Sequence, residues 1–133
     1  MPYEPRSHHP VILCVDDDRE ILSALRRSLS REPYEVITAQ GVDEALCWFE
    51  EFPIDLLITD QRMPGIEGTQ LLREIGKRFP KTARAILTAH PGPALMQAGL
   101  EAGAETFLYK PWDDSVLRDT IRRVLGKPFH RNP

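Results

Sequence analysis

Three aspartates, a threonine and a lysine hold the chemistry open to this chain: Asp16 and Asp17, Asp60, Thr88 and Lys110. Carboxylates gathered in one place repel one another, and a hard divalent ion such as Mg²⁺, which takes oxygen ligands and keeps several waters, relieves that repulsion. With a cation and an ammonium nearby, Asp60 can act as a nucleophile toward a phosphoryl group, because the charge on the transferring oxygens is shared. Lys110 supplies the ammonium and Thr88 offers a hydroxyl to a phosphoryl oxygen, while the small Ala89 leaves the backbone approachable. The product would be an acyl phosphate on Asp60. A purely structural role would require all three carboxylates to be paired with Arg or Lys, and Lys110 alone cannot neutralise them. Taken singly, an Asp before Met63-Pro64-Gly65 reads as the start of a turn. The chemistry therefore depends on whether the fold assembles these residues.

The surrounding residues say that it does. Asp16-Asp17-Asp18 closes the apolar run Val11-Ile12-Leu13-Cys14-Val15, and Asp60 closes Leu56-Leu57-Ile58-Thr59. Thr88 ends Ala83-Arg84-Ala85-Ile86-Leu87, and Lys110-Pro111 follows Thr106-Phe107-Leu108-Tyr109. Short apolar runs bounded by turn signals read as strands buried on both faces. Tyr34 to Ala39 gives one more strand. Between the runs the apolar spacing becomes helical. Ile21, Leu22, Leu25 and Leu29 follow Asp18, which is placed to cap or charge the first helix; Val42, Ala45, Leu46 and Phe49 mark a second, stopping near Pro53. Ile66, Leu71, Leu72, Ile75 and Phe79 mark a third, closed by Pro80, and a fourth runs from about Ala94 to Glu101 behind a Pro-Gly-Pro lead-in. The last runs from about Asp113 to Leu125, with Asp113 or Asp114 at its start and Gly126 just past its end.

Five strands each followed by a helix predict an α/β fold, a parallel sheet covered on both faces. Right-handed crossovers put every strand's carboxyl end on one edge, where ligands bind. Asp16, Asp17, Asp60, Thr88 and Lys110 then share one rim.

Composition fits one domain. A chain of 133 residues with 41% hydrophobic content buries about two thirds of its unfolded surface around a single core. We expect a leader over residues 1–10, the domain over 11–126, and a tail or linker start over 127–133. The net charge of -3 leaves no basic footprint for nucleic acid; Arg122, Arg123, Lys127 and Arg131 read as a solvated helix end. No apolar run is long enough to span a bilayer, and the start carries no secretory apolar region, so a cytoplasmic location is expected. Cys14 and Cys47 read as free thiols acting as small hydrophobes, and His8 and His9 as part of a disordered leader.

With these residues in view, the chain resembles a response-regulator receiver domain, the CheY-like phosphoacceptor module of two-component signalling. The resemblance runs from about Val11 to Leu125. It is carried by Ile12 to Asp18, Asp55 to Asp60 with Met63-Pro64-Gly65 and Gly68, Leu87-Thr88-Ala89, Gly103-Ala104 and Lys110-Pro111-Trp112. It implies a flavodoxin-like (βα)5 sheet of order 2-1-3-4-5 and a Mg²⁺ site made by Asp16 or Asp17, Asp60 and the backbone carbonyl of Arg62. It further implies phosphorylation of Asp60 by a partner histidine kinase or phosphotransfer protein, and a cis Lys110-Pro111 bond.

The resemblance also implies a switch in which Thr88 moves toward the phosphate and Phe107 fills the space it leaves. The family often has Tyr there; Phe107 retains the ring but no hydroxyl. The output surface would be the fourth helix, fifth strand and last helix, able to meet an output domain, a downstream protein or a second copy. Arg62 and His90, two residues after Asp60 and Thr88, could flank the path of attacking water and set the phosphate's lifetime. The activity is that of a phosphoacceptor supporting its own phosphotransfer and slow autodephosphorylation, not of an enzyme acting on other substrates. At a finer level, Lys110 to Asp114 and Thr59 to Gly65 are similar to receivers fused to cyclic-di-GMP phosphodiesterase domains of the HD type or to other signalling modules, so the chain is read as excised from a longer regulator. Two other readings stay open. One is a pseudo-receiver that binds proteins without being phosphorylated. The other is a haloacid-dehalogenase-type phosphatase using Asp16 as nucleophile, against which stands Glu20 where that family expects Thr or Val.

Overall fold

A computed structural model describes residues 9–126. The elements alternate as β1 Val11–Val15, α1 Arg19–Ser28, β2 Glu35–Ala39, α2 Val42–Glu51, β3 Leu56–Asp60, α3 Gly68–Arg78, β4 Ala83–Thr88, α4 Pro93–Glu101, β5 Thr106–Tyr109 and α5 Asp114–Leu125. The strands form one parallel sheet of order β2-β1-β3-β4-β5, as the resemblance implied. Register pairs Cys14 with Ile58, Ile58 with Ala85 and Leu87 with Leu108.

The strands are continuous apolar runs because both faces are covered. Val11, Leu13, Val15 and Leu57 face the layer containing Ala45, Phe49, Leu71, Leu72 and Ile75 of α2 and α3. Ile12, Cys14, Leu56 and Ile58 face Leu22, Leu25, Leu117, Ile121 and Val124 of α1 and α5. Fully buried Ile or Leu side chains contribute about 1.5–3 kcal/mol each. This double burial fixes the strand ends that carry the polar residues.

Local signals set the helix bounds. The Asp18 carboxylate accepts from Glu20 N at 2.9 Å at the start of α1, and Asp113 caps α5 by accepting from Ser115 N at 2.8 Å and Val116 N at 3.1 Å. The Ser115 hydroxyl, donating to the same carboxylate at 2.7 Å, and these backbone bonds hold the Asp113 carboxyl below the usual range. In α3 the Gln70 side chain accepts from Glu67 N at 3.0 Å.

Several expectations need correction. Ile66 lies before α3, which begins only at Gly68, because Gly65 turns the chain at φ 89° and Gly68 N donates to Gln61 O at 2.9 Å. Cys14 is fully buried, but Cys47 is exposed on α2 and is no core hydrophobe. Phe107 is half-buried, since β5 is an edge strand. Gly126, by contrast, stands just past α5 as expected, with φ -82°. Most of the leader, with His8, and the tail, with Lys127 and Arg131, lie outside the described residues.

Candidate functional site

The strand ends gather as the topology requires. Asp16 follows β1 and is 2% exposed, while the more exposed Asp17 points from the same loop. Asp60 ends β3, Thr88 ends β4 and Lys110 follows β5. Among the described residues, Asp16, Asp17 and Asp60 each offer a carboxylate oxygen within 4.8 Å of the others. Lys110 Nζ lies 2.8 Å from Asp16 Oδ2 and 3.4 Å from Asp60 Oδ1. One ammonium thus serves two of the three carboxylates.

Backbone bonds lock this arrangement. Asp16 N donates to Ala39 O at 3.1 Å and Lys110 N to Thr88 O at 2.9 Å. Asp18 N donates to Asp16 Oδ1 at 2.9 Å and Gln61 N to Asp60 Oδ1 at 2.9 Å. The Lys110-Pro111 peptide is cis, in line with the resemblance. Thr88 is buried, and its hydroxyl oxygen accepts from His90 N at 3.3 Å. Its side chain is therefore held back toward its own loop.

Burial pushes the Asp16 carboxyl up, the Lys110 hydrogen bond and Asp18 N pull it down, and the Asp60 charge pushes it up again, leaving a net rise. Burial would lower Lys110, yet its bond to Asp16 and the charges of Asp16 and Asp60 outweigh that and raise it. Asp16 Oδ2 is buried with no aligned hydrogen-bond donor, although the Lys110 charge is close. A buried anionic oxygen with Lys110 as its one close partner among the described residues, beside two more carboxylates, is a fitting donor set for a hard divalent cation. The residues present fit Mg²⁺.

Arg62 and His90 are both exposed on this rim. Phe107 lies away from it, packed against the α2–α3–α4 layer. Sequence reasoning missed the support from Gln61 and named Gly68 only as part of the resemblance, without its packing role. Gln61 ties the loop after Asp60 to α3, its side-chain oxygen accepting from Thr69 N at 2.9 Å. Gly68 meets the Asp60 carbonyl so closely that a Cβ there would collide with the backbone oxygen. The signal available was Gly68 in the first turn of a helix, where a Gly weakens the helix unless close approach requires it.

A family model, the response regulator receiver domain, matches residues 12–122. The chain belongs to the response-regulator receiver family. This receiver is 35% identical over 115 residues to the hydrogenase transcriptional regulatory protein HoxA of Cupriavidus necator, covering 86% of this chain and 24% of that protein. Among solved structures it superposes on the signal receiver domain of an HD domain-containing protein from Pseudomonas fluorescens Pf-5 with TM-score 0.86 and 31% identity, covering 95% of this chain and 93% of that one. A CheY-like receiver domain protein from Methanospirillum hungatei JF-1 gives TM-score 0.84 at 31% identity, with 89% and 94% covered. The receiver spans between 24% and 52% of the length of the curated relatives it matches. These relatives are named as transcriptional regulators. No described helix is long and apolar enough to cross a membrane.

Proposed function

We propose that this receiver is a Mg²⁺-dependent phosphoacceptor, phosphorylated on Asp60 by a histidine kinase or phosphotransfer protein in the cytoplasm. The observation that carries this reading is Lys110 Nζ between Asp16 and Asp60, among the described residues the sole cationic partner of a buried Asp16 carboxylate that shares its rim with two more. Mg²⁺ held by Asp16, Asp17, Asp60 and the Arg62 carbonyl would supply charge to the phosphoryl oxygens. An Asp60 carboxylate oxygen forms the new P–O bond while the donor's P–N bond breaks. Lys110 pairs with the incoming oxygens, and Thr88 donates its hydroxyl once it turns from the His90 amide. Phe107 follows Thr88, and Arg62 shields the acyl phosphate from water that His90 can orient. The domain occupies 11–126.

The output face is α4, β5 and α5, where Leu100, Tyr109 and Val116 are exposed large apolar side chains. It would meet an output domain, a downstream protein or a second receiver. The relatives' names favour a transcriptional output; the Pseudomonas fluorescens neighbour favours an HD-type output, of which a cyclic-di-GMP phosphodiesterase is one form.

The test is intact mass after incubation with a small acyl phosphate donor and Mg²⁺. Native protein should gain one phosphoryl group, chelation should block the gain, and Asp60→Asn should not gain it. No gain under any condition would leave a protein-binding pseudo-receiver, and gain on Asp60→Asn but not Asp16→Asn would favour the phosphatase-type nucleophile.

A further inference from the structure

Gly99 is the one described residue of α4 that is buried, and it faces the Phe107 ring. A Cβ built on Gly99 would lie 2.5 Å from Phe107 Cζ, 2.8 Å from Cε2 and 3.2 Å from Ile86 Cδ1. No carbon can sit at the first two distances without moving the ring. Phe107 and Ile86 are paired residues of β5 and β4, so the ring enters the gap from the sheet below. Gly in a helix interior is otherwise a defect, costing helix propensity for no gain. Here the missing side chain is filled by the neighbour's ring.

We infer that Gly99 is the positioning residue that seats the Phe107 ring beneath α4, so that ring and helix shift only together. The two ends of α4 are held differently. At the carboxyl end, Gly99 O accepts from Ala104 N at 2.9 Å and Ala102 O accepts from Arg84 Nη1 at 3.2 Å; the same nitrogen donates to Leu72 O at 3.2 Å. At the amino end, Gly92 offers no side-chain cap and follows Pro91. A displaced ring therefore swings the amino-terminal turns of α4 about a tethered carboxyl end. The consequence for signalling rests on the receiver reading above; the seat itself does not.

The test is Gly99→Ala in native and Phe107→Ala backgrounds, read by thermal unfolding. Without the ring, Ala simply improves the helix and should raise Tm by about 4 °C. In the native background the added methyl evicts the ring, and Tm should fall. An equal rise in both backgrounds would overturn the inference and leave Gly99 a plain helix defect. Should Phe107→Ala not fold, Phe107→Leu, too short to reach the gap, takes its place. A second arm follows amide exchange across 93–101 with acyl phosphate and Mg²⁺. The change seen on native α4 should shrink several-fold in Gly99→Ala while intact mass shows both proteins phosphorylated; an undiminished change would overturn the coupling. Failure of both proteins to gain phosphate would sink the phosphoacceptor reading alone, because the thermal cycle still decides the seat.

Discussion

Replacing Lys110 with Met keeps much of the stem's packing and removes the ammonium shared by Asp16 and Asp60. Two unit charges 2.8 Å apart attract by about 6 kcal/mol at an effective dielectric of ~20, against which the burial of both ions costs several kcal/mol. Most of the damage lies in what is left behind, since Asp16 is 2% exposed and its Oδ2 has no other donor. Stranding a buried charge costs about 3–5 kcal/mol, unless the group takes a proton instead. Asp16 is already raised by burial, and loss of Lys110 removes the main influence lowering it. A carboxyl raised in the folded state binds more protons there than in the unfolded chain, so the stability it lends is full at low pH and lost as pH rises through the folded value. The loss in Lys110→Met should thus be about 3 kcal/mol at pH 7.5. It should be smaller at pH 5.5, where the stranded Asp16 more readily takes a proton. Urea unfolding at the two pH values measures it. Millimolar Mg²⁺ should restore more stability to the variant than it adds to native protein, because the ammonium no longer competes for Asp16. A loss equal at both pH values and indifferent to Mg²⁺ would refute the shared-ammonium account.

Three further outcomes follow from single contacts. Gly68→Ala should cost about 2 kcal/mol or more in urea unfolding, because its Cβ meets the Asp60 carbonyl, which the sheet holds in place. A thiol reagent should label Cys47 alone in the folded protein, and Cys14 only after unfolding, since burial pushes the Cys14 thiol up to about 12. Ser28→Ala should destabilise by about 1 kcal/mol, because the Ser28 hydroxyl accepts from Trp112 Nε1 at 2.9 Å and donates to Asp114 Oδ1 at 2.6 Å. In a Trp48→Phe background, the emission of Trp112 should shift with it.

The strands and the rim were legible because a parallel sheet buried on both faces writes itself as unbroken apolar runs, and the first polar residue after each run is where the sheet ends. That is why Asp16, Asp60, Thr88 and Lys110 could be placed together although 94 positions separate the first from the last. What stayed hidden depends on partners distant in sequence. The Ser28, Trp112 and Asp114 chain joins residues more than 80 positions apart, and nothing in either neighbourhood announces it. At Gly99 helix propensity counts only a local cost; the Phe107 ring that fills its gap comes from another element. Ile66 kept the helical spacing but lost its helix to the close approach of Gly68 and Gln61. Cys47 has apolar neighbours in sequence, yet on α2 its direction from the axis faces solvent.

The core beneath the site explains why its charges stay in conflict. Asp16 N and Lys110 N are fixed to the backbone of neighbouring strands, and Val15, just before Asp16, and Leu108, two residues before Lys110, are buried. Moving Asp16 away from Asp60 would mean pulling β1 from β3, which Ile12, Leu13, Cys14 and Val15 hold in register with Leu56 to Thr59. The sheet's burial free energy far exceeds the repulsion, so the strain cannot be relaxed by the backbone. It can be relieved only by a proton on Asp16 or by a cation among the carboxylates. Among the described residues that conflict is local to the end of the sheet where β3, β4 and β5 stop. From there Thr88 and the loop after it lead directly to the uncapped start of α4. A charge change at the rim would therefore meet, a short way along the chain, a helix start that no side chain caps.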